Sequence, residues 1–191
     1  MTQGDRLILE ATVWTVAEGL DGLVHDVTEP PTVESLDEAK PLSHYLTEEE
    51  MAARPPMGFW TNFDQRIIDF KVWPTDEIFP PIYRSWSRFA PTATFDDPWV
   101  DACRSLVLID IQSWPSAARH YGSQNTEWYA PSLDLYVAFH HPQPTQDWLL
   151  CDGLAPLGRD GLIAWNGRLW TPSGTLVASG AGQLLSRRLR R

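Results

Sequence analysis

The fold is decided by residues 96–115, which read DDPWVDACRSLVLIDIQSWP. The triplet Asp96-Asp97-Pro98 is a strong helix start, because a carboxylate can cap free backbone N–H groups and proline is favoured at the first helical position. The pattern predicts one long helix that runs to about Trp114. Pro115 should mark a kink in this helix or its end.

Asp110 is the unusual residue of this helix. On a helical wheel it falls within an arc of about 140° that also holds the apolar side chains, which should face a sheet. Because an isolated buried charge is costly, its carboxylate must be paired, protonated or in contact with water. Asp110 therefore either hydrogen-bonds a neighbouring strand or points into a polar pocket, where it orients a water or a substrate. The apolar stripe consists of Trp99, Val100, Cys103, Leu106, Val107, Ile111 and Trp114.

Strand-like segments lie on both sides of the helix. Two precede it and four follow it, namely 63–73, 82–90, 132–141, 147–155, 161–170 and 175–186. The last four have short connections, including a turn at 171–174, and this predicts an antiparallel meander. One helix cannot cover both faces of six strands. The prediction is an α+β architecture, with an antiparallel sheet wrapped around one long helix.

The first 61 residues differ from the rest. Residues 6–17 are rich in β-branched and aromatic side chains and predict a strand, followed by a short return strand at 23–26. Residues 28–61 alternate prolines with acidic clusters and predict a linker, with one helical turn where Thr47 and Glu50 form a capping box. The predicted organisation is a strand pair (1–27), a linker (28–61) and the main domain (62–191).

Composition narrows the classes of function. The 191 residues carry a net charge of −10, which disfavours general nucleic-acid binding. The sequence has no apolar run of membrane-spanning length and no recognisable signal peptide, so neither a membrane partner nor secretion is expected. Two cysteines, Cys103 and Cys151, cannot form a disulfide framework, so the cytoplasm is the expected location.

The familiar catalytic and cofactor motifs are absent from the sequence. It contains no zinc-protease, CxxC, P-loop, dinucleotide-binding or serine-hydrolase signature. His140 and His141 are adjacent in a predicted strand and point to opposite faces, so they are poor joint metal ligands. No metal and no cofactor are therefore expected. Ser132 at a strand start and Gln183 in an apolar strand are weak signals taken singly.

Several short motifs together resemble a known family. They are APSLDLYVAFHHP at 130–142, DWLL at 147–150 and GTLVAS at 174–179. In this order and spacing they resemble the second half of acyl-CoA thioesterase II proteins, over residues 63–191. Those proteins are double hotdogs, in which two helix-in-sheet units are fused. Residues 4–26 resemble the last two strands of the first unit, so most of that unit would be missing.

The resemblance implies a site and an activity. An aspartate on the hotdog helix, a hydroxyl two residues before a strand aspartate and a glutamine on the last strand would hold the attacking water. These roles fall on Asp110, Ser132 and Gln183. When the family's spacing is counted from Ser179, its glutamine falls on position 182, which is a glycine here. Gln183 lies one residue later in the strand, so its side chain would point to the opposite face unless a β-bulge absorbs the extra residue. The expected reaction is hydrolysis of acyl-CoA thioesters to CoA and a carboxylic acid, without a cofactor.

Other functions and an assembly state follow from the same reasoning. A protein of this fold could bind acyl-CoA or acyl chains without turnover. An enoyl-CoA hydratase is a further alternative, but such enzymes use an Asp–His pair and no histidine is placed to serve Asp110. Because a lone strand pair is too little to stand alone in water, the chain is expected to form a homodimer or a higher homo-oligomer.

Overall fold

The computed structural model describes residues 1–16, 20–53, 58–71, 75–90, 92–141 and 146–189. The strands are β1 (Thr2–Gln3), β2 (Arg6–Leu7), β3 (Phe63–Ile67), β4 (Ile82–Phe89), β5 (Trp128–Tyr129), β6 (Tyr136–Phe139), β7 (Leu149–Arg159), β8 (Leu162–Trp170), β9 (Leu176–Leu185) and β10 (Arg187–Arg188). The α-helices are α1 (Glu48–Ala53), α2 (Pro98–Asp110) and α3 (Ser113–Ala118). Short 3-10 helices cover Leu42–His44, Trp60–Asn62 and Gly122–Glu127.

Six strands form one antiparallel sheet in the order β3-β4-β7-β8-β9-β6. Helices α2 and α3 pack against one face of it, where Leu108 and Ile109 are fully buried against side chains such as Leu169. This confirms the predicted α+β class, with an antiparallel sheet around one long helix.

The strand order corrects the predicted meander. β7, β8 and β9 do form consecutive hairpins, but β6 pairs with β9 and not with the strand that follows it in sequence. The reason is that both edges of β7 are taken, one by β4 and the other by β8. β6 is therefore an edge strand, and it is shorter than the predicted 132–141.

The start of β3 agrees with prediction and its end does not. The strand stops at Ile67, whereas the sequence predicts one over 63–73. Two residues on, Asp69 has a φ of 51°, a left-handed conformation that turns the chain out of the sheet. Residues 72 and 73 of the predicted strand lie outside the described residues.

The ends of α2 follow local chemistry. The Asp97 carboxylate accepts hydrogen bonds from the backbone N–H groups of Trp99 (2.8 Å) and Val100 (3.2 Å), which confirms the predicted cap. The helix ends at Asp110, four residues earlier than predicted. Pro115 then lies in the first turn of α3, where a missing N–H costs no helical hydrogen bond.

The face that α2 turns to the sheet was predicted wrongly. Asp101 and Arg104 point inward as an ion pair whose side chains are only 8% and 4% exposed. Two hydrogen bonds of 2.8 and 2.9 Å join them, so their charges compensate each other and the pair can be buried. A wheel that assigns every charge to solvent misses such a pair. Of the predicted stripe, Ile111 is buried, Val107 and Trp114 are partly buried, and Trp99, Val100, Cys103 and Leu106 are exposed.

The predicted N-terminal strands are also wrong. β2 covers only Arg6–Leu7 and pairs with β1, and residues 8–16 and 20–27 have no regular secondary structure. Trp14 is 91% exposed there. Strand-forming side chains make a stable strand only where a neighbouring strand satisfies the backbone. Met1 forms backbone hydrogen bonds with Ile8 and Leu9, but among the described residues nothing provides that neighbour for 10–16.

Residues 33–46 cover the face of the sheet opposite the helices. Val33, Leu36 and Ala39 pack on a second core cluster that includes Trp86 and Trp170. The Trp86 indole N–H also donates to the Glu34 carbonyl oxygen at 3.0 Å. The region predicted as a linker thus contains a packed outer layer. It then leads into α1, which begins with the predicted capping box.

Candidate active site

Asp110 and Ser132 come together although 22 residues separate them in the chain. The Ser132 hydroxyl donates a hydrogen bond to Asp110 Oδ1 at 2.6 Å. Asp110 is half-buried at the end of α2, and Ser132 is exposed beside β9. A charge-assisted bond of this length compensates the carboxylate for its partial burial. The pair is open to solvent on one side, as a site that receives water and substrate requires.

Ser132 is held in place by the backbone of β9. It forms an isolated antiparallel bridge with Leu184. On one side of this bridge, the Leu133 N–H donates to the Gln183 carbonyl oxygen at 2.8 Å; on the other, the Leu185 N–H donates to the Pro131 carbonyl oxygen at 3.0 Å. Residues 131–133 therefore continue the sheet for a short distance before β6 begins.

Gln183 does not join the pair. The β8–β9 ladder runs without a register shift from Leu162–Leu185 to Leu169–Ala178, so the expected bulge near residues 180–182 is not formed. Leu184 is fully buried towards the helices, and its neighbour Gln183 is exposed on the opposite face. The side chain predicted as the third member of the site thus points away from Asp110 and Ser132.

Gly182 faces the helix side, where the glutamine of the resembled family would lie. A Cβ atom added to Gly182 would collide with the backbone carbonyl oxygen of Asp134. The Asp134 carboxylate also accepts a hydrogen bond from the Gln183 N–H at 2.7 Å, and this draws the two segments together. The close approach leaves no room for a side chain at position 182 and explains why glycine stands there.

A cavity of about 250 Å³ lies on the helix side of the sheet, and Asp110 and Ser132 are not among the residues that line it. Trp114 of α3, four residues after Asp110 in the chain, forms part of its wall, together with Tyr121 and Trp128. Ser186, two residues beyond the strand residue that pairs with Ser132, forms another part. Sequence reasoning missed Tyr121 and Trp128. Their only signal was the abundance of aromatic residues, ten of which are tryptophans.

Other candidate reactive groups have structural surroundings. Burial raises the pKa of the Cys151 thiol to about 12, so it stays protonated and is a poor nucleophile. His140 Nε2 lies 2.9 Å from the Ser179 hydroxyl oxygen, a contact that does not involve Asp110. The described residues contain no cluster of three or more His, Cys, Asp or Glu side chains arranged to hold a metal ion. Nor do they contain a helix long and apolar enough to cross a membrane.

The fold and the paired polar residues define a protein of the hotdog class, with a carboxylate and a hydroxyl meeting at the end of the central helix. A family model, the acyl-CoA thioesterase C-terminal domain, matches residues 32–185. The chain belongs to this family. No curated protein matches the chain.

Solved structures show the same fold. Acyl-CoA thioesterase II TesB2 from Mycobacterium marinum is similar with a TM-score of 0.68 and 20% identity, over 90% of this chain and 60% of that one. A putative thioesterase II from Thermobifida fusca has a TM-score of 0.60 and 16% identity, and the match covers 88% of this chain and 59% of that one. A hot dog fold protein of unknown function from Alicyclobacillus acidocaldarius has a TM-score of 0.59 and 15% identity, and the match covers 90% of this chain and 59% of that one. The chain spans about three fifths of the length of these proteins.

Proposed function

We propose that this protein hydrolyses acyl-CoA thioesters to CoA and a free carboxylic acid. The observation that carries the proposal is the 2.6 Å hydrogen bond between Asp110 and Ser132, in a chain of the acyl-CoA thioesterase family. Hydrolysis needs a water molecule that is oriented towards the thioester carbonyl and relieved of a proton. A carboxylate beside a hydroxyl can do both.

The chemistry follows from the two side chains. Ser132 occupies Asp110 Oδ1, which leaves Oδ2 to accept a proton from the attacking water. The water oxygen forms a bond to the thioester carbon. The tetrahedral intermediate then collapses, the carbon–sulfur bond breaks, and CoA leaves as a thiolate that takes up the proton. This route needs no covalent acyl-enzyme, which suits a site whose serine already binds a carboxylate.

The cavity that Trp114 and Ser186 line supports the same proposal. Its aromatic wall at Trp114, Tyr121 and Trp128 offers an apolar surface for an acyl chain. Small-molecule sites are typically concave and largely apolar, with a few convergent polar groups. In this proposal the acyl chain lies against that wall while its carbonyl carbon faces Asp110.

The decisive experiment measures free thiol released from short, medium and long acyl-CoAs. Asp110→Asn should lower the turnover number by about 10²–10⁴-fold, the usual contribution of a general base. Ser132→Ala should lower it by a smaller factor, because the carboxylate remains. Asp37→Asn, the same substitution in an exposed turn, is the matched control and should behave as the wild type. Equal turnover in Asp110→Asn and wild type would overturn the assigned site.

A second candidate function is acyl-CoA binding without turnover. The outward Gln183 and the glycine at position 182 favour it, because the third polar group implied for the water site is missing from the helix side. A non-catalytic binder would release no thiol in any variant. It would still bind acyl-CoA after Asp110→Asn, as calorimetry can show.

We further propose that the chain assembles with copies of itself. β6 is one of the two edge strands of the sheet, and on it Tyr136 is 67% and Phe139 52% exposed. On the adjacent open side of α2, Trp99 is 69% exposed. Exposed apolar patches of this kind mark interaction sites, and an unpaired edge strand can pair with a second one. A second copy of this chain is the occupant that we assign.

The cytoplasm is the proposed location. Cys103 and Cys151 are both free thiols, one exposed and the other buried. Such cysteines are typical of proteins that stay in a reducing compartment.

A further inference from the structure

A second and larger cavity also lies on the helix side of the sheet and adjoins the first at Asn125, which lines both. Its volume is about 390 Å³, within the roughly 300–1,000 Å³ usual for small-molecule sites. Most of its wall is apolar or aromatic and comes from β3, β4, α3 and the segment after β3. The residues that form this part of the wall are Ile67, Phe70, Tyr83, Pro115 and Ala118.

Two cations and the amide side chain of Asn125 complete the wall. Lys71 and Arg119 both line the cavity, and both lie over the ring of Phe79, at 5.3 and 5.5 Å from its centre. They share one counter-ion, because Lys71 Nζ and Arg119 Nη2 contact the two carboxylate oxygens of Asp69 at 2.6 and 2.9 Å. Two positive charges against one negative charge leave an excess of one positive charge at the cavity.

Arg119 also has a hydrogen-bond donor to spare. Its side chain is 9% exposed, and its Nε is buried without a hydrogen-bond partner. An unsatisfied buried donor is unfavourable, so an acceptor that reaches the guanidinium stabilises the site. An anion in the cavity meets the excess positive charge of Lys71 and Arg119.

This cavity is separate from the Asp110–Ser132 pair. Ile67 and Tyr83 lie on β3 and β4, whereas Ser132 bridges β9. In the strand order, β4 and β9 are three steps apart, or about 14 Å across the sheet. A ligand in this cavity therefore does not take the place of the attacking water.

We propose that this cavity is a binding site for a medium-chain carboxylate. The carboxylate lies at Lys71 and Arg119, and the alkyl chain lies against the apolar wall. One excess positive charge matches a monoanion, while the phosphates of a nucleotide carry more negative charge than the site offers. The ligand belongs to the same chemical class as the acid released in thioester hydrolysis, but its binding does not depend on that reaction.

The sequence allows the site to be observed directly. Lys40 and Lys71 are the only lysines of the chain, so labelling with ¹⁵N-lysine gives two backbone amide signals. Lys40 is exposed in the outer layer and serves as an internal reference. Titration with hexanoate, octanoate and decanoate should shift the Lys71 signal until it saturates and leave the Lys40 signal in place. Each methylene that enters the apolar part should tighten binding by up to about fourfold.

Variants test the role of the charge. Lys71→Gln should weaken decanoate binding, followed by calorimetry, by at least about tenfold, since a charge-assisted contact is lost. Lys40→Gln is the matched control and should bind as the wild type, and decanol should bind more weakly than decanoate. Asp110→Asn should bind decanoate unchanged, which separates this site from the proposed active site. Circular dichroism checks that each variant is folded.

Three results would overturn the proposal. One is a Lys71 signal that does not move, or that moves no more than the Lys40 signal. Another is equal affinity in Lys71→Gln and Lys40→Gln. The third is loss of decanoate binding in Asp110→Asn, which would place the acid at the proposed active site instead. None of these results bears on whether the protein hydrolyses thioesters, because that is read from thiol release.

Discussion

At the scale of single residues, Gly182 decides how closely two segments approach. We expect Gly182→Ala to destabilise the fold, because the added methyl group collides with the Asp134 carbonyl. Overpacking of this kind costs about 1–3 kcal/mol, which lowers the melting temperature by roughly 2–10 °C in a protein of this size. Calorimetry measures this decrease in the melting temperature. Gly22→Ala is the control, since a Cβ atom there meets no atom within 4 Å; equal losses in both variants would contradict the argument.

A second residue-scale prediction concerns the Cys151 thiol. Its pKa is raised from 9.0 to about 12 by burial, so above pH 9 the unfolded chain releases this proton and the folded chain keeps it. The contribution of this thiol to stability is thus fully present below pH 9 and falls by up to about 1.4 kcal/mol per pH unit above it. Urea unfolding at increasing pH should show a shallower decline in Cys151→Ala than in the wild type.

The control for this prediction is Cys103→Ala, which removes the exposed thiol. It should keep the pH dependence of the wild type. Identical slopes in Cys151→Ala and the wild type would show that the buried thiol does not contribute. Burial is also the main cause of the raised pKa of Tyr83, and because Tyr83 is buried in all three proteins, this cause acts on the slope of each of them.

The contact between the two polar side chains follows from the fold, and their catalytic role stays a prediction. Asp110 and Ser132 meet because α2 ends over the strand next to residue 132. The Gln183 orientation depended on whether the strand bulges, and two glycines permit a bulge without requiring one. In the structure Asp134 packs over Gly182 and the strand stays regular, an interaction that a sequence pattern does not show.

At the scale of elements, the Asp101–Arg104 pair fixes the rotation of α2. We expect Arg104→Met to lower the free energy of unfolding by about 3–5 kcal/mol, because it leaves the Asp101 carboxylate buried without its counter-charge. The double variant Asp101→Leu/Arg104→Met should recover much of this loss, since it removes both charges. Urea unfolding of the wild type, Arg104→Met, Asp101→Leu and the double variant completes a double-mutant cycle.

Arg159→Met is the comparison for this helix prediction. Arg159 also pairs with an aspartate, Asp160, but both side chains are more than four-fifths exposed. Exposed ion pairs contribute little, so the variant should unfold like the wild type. A similar loss in Arg104→Met and Arg159→Met would contradict the role given to burial.

The element-scale predictions from sequence succeeded where the signal was local. The Asp97 cap and the Thr47–Glu50 capping box depend only on neighbouring residues, and both formed. The helix face depended on which charges pair with each other, and the strand over 6–17 depended on a neighbour elsewhere in space. The periodicity of a single segment shows neither the ion pair nor the missing neighbour. For this reason the predicted buried face of α2 and the predicted strand over 6–17 were both wrong.

At the scale of the whole molecule, the proposed assembly through β6 can be tested by mass. We expect light scattering after size exclusion to give a multiple of the chain mass of 21.7 kDa. Tyr136→Glu should shift the protein towards the monomer, because it places a charge on the apolar edge strand. Ile78→Glu is the control, since it changes an equally exposed apolar residue away from this edge. A monomeric wild type would contradict the assembly.

The outer layer affects more than the stability of the sheet. Its cluster joins Ile68 just beyond β3 with Trp86, Leu150 and Trp170 on β4, β7 and β8. The helices press on the opposite side of these strands, so the sheet is clamped between two layers that must bend together. A change in the curvature of the sheet would alter the widths of both cavities on the helix side. The residues that hold Val33, Leu36 and Ala39 in place therefore influence the size of the cavities from the opposite face of the sheet, without contacting a ligand.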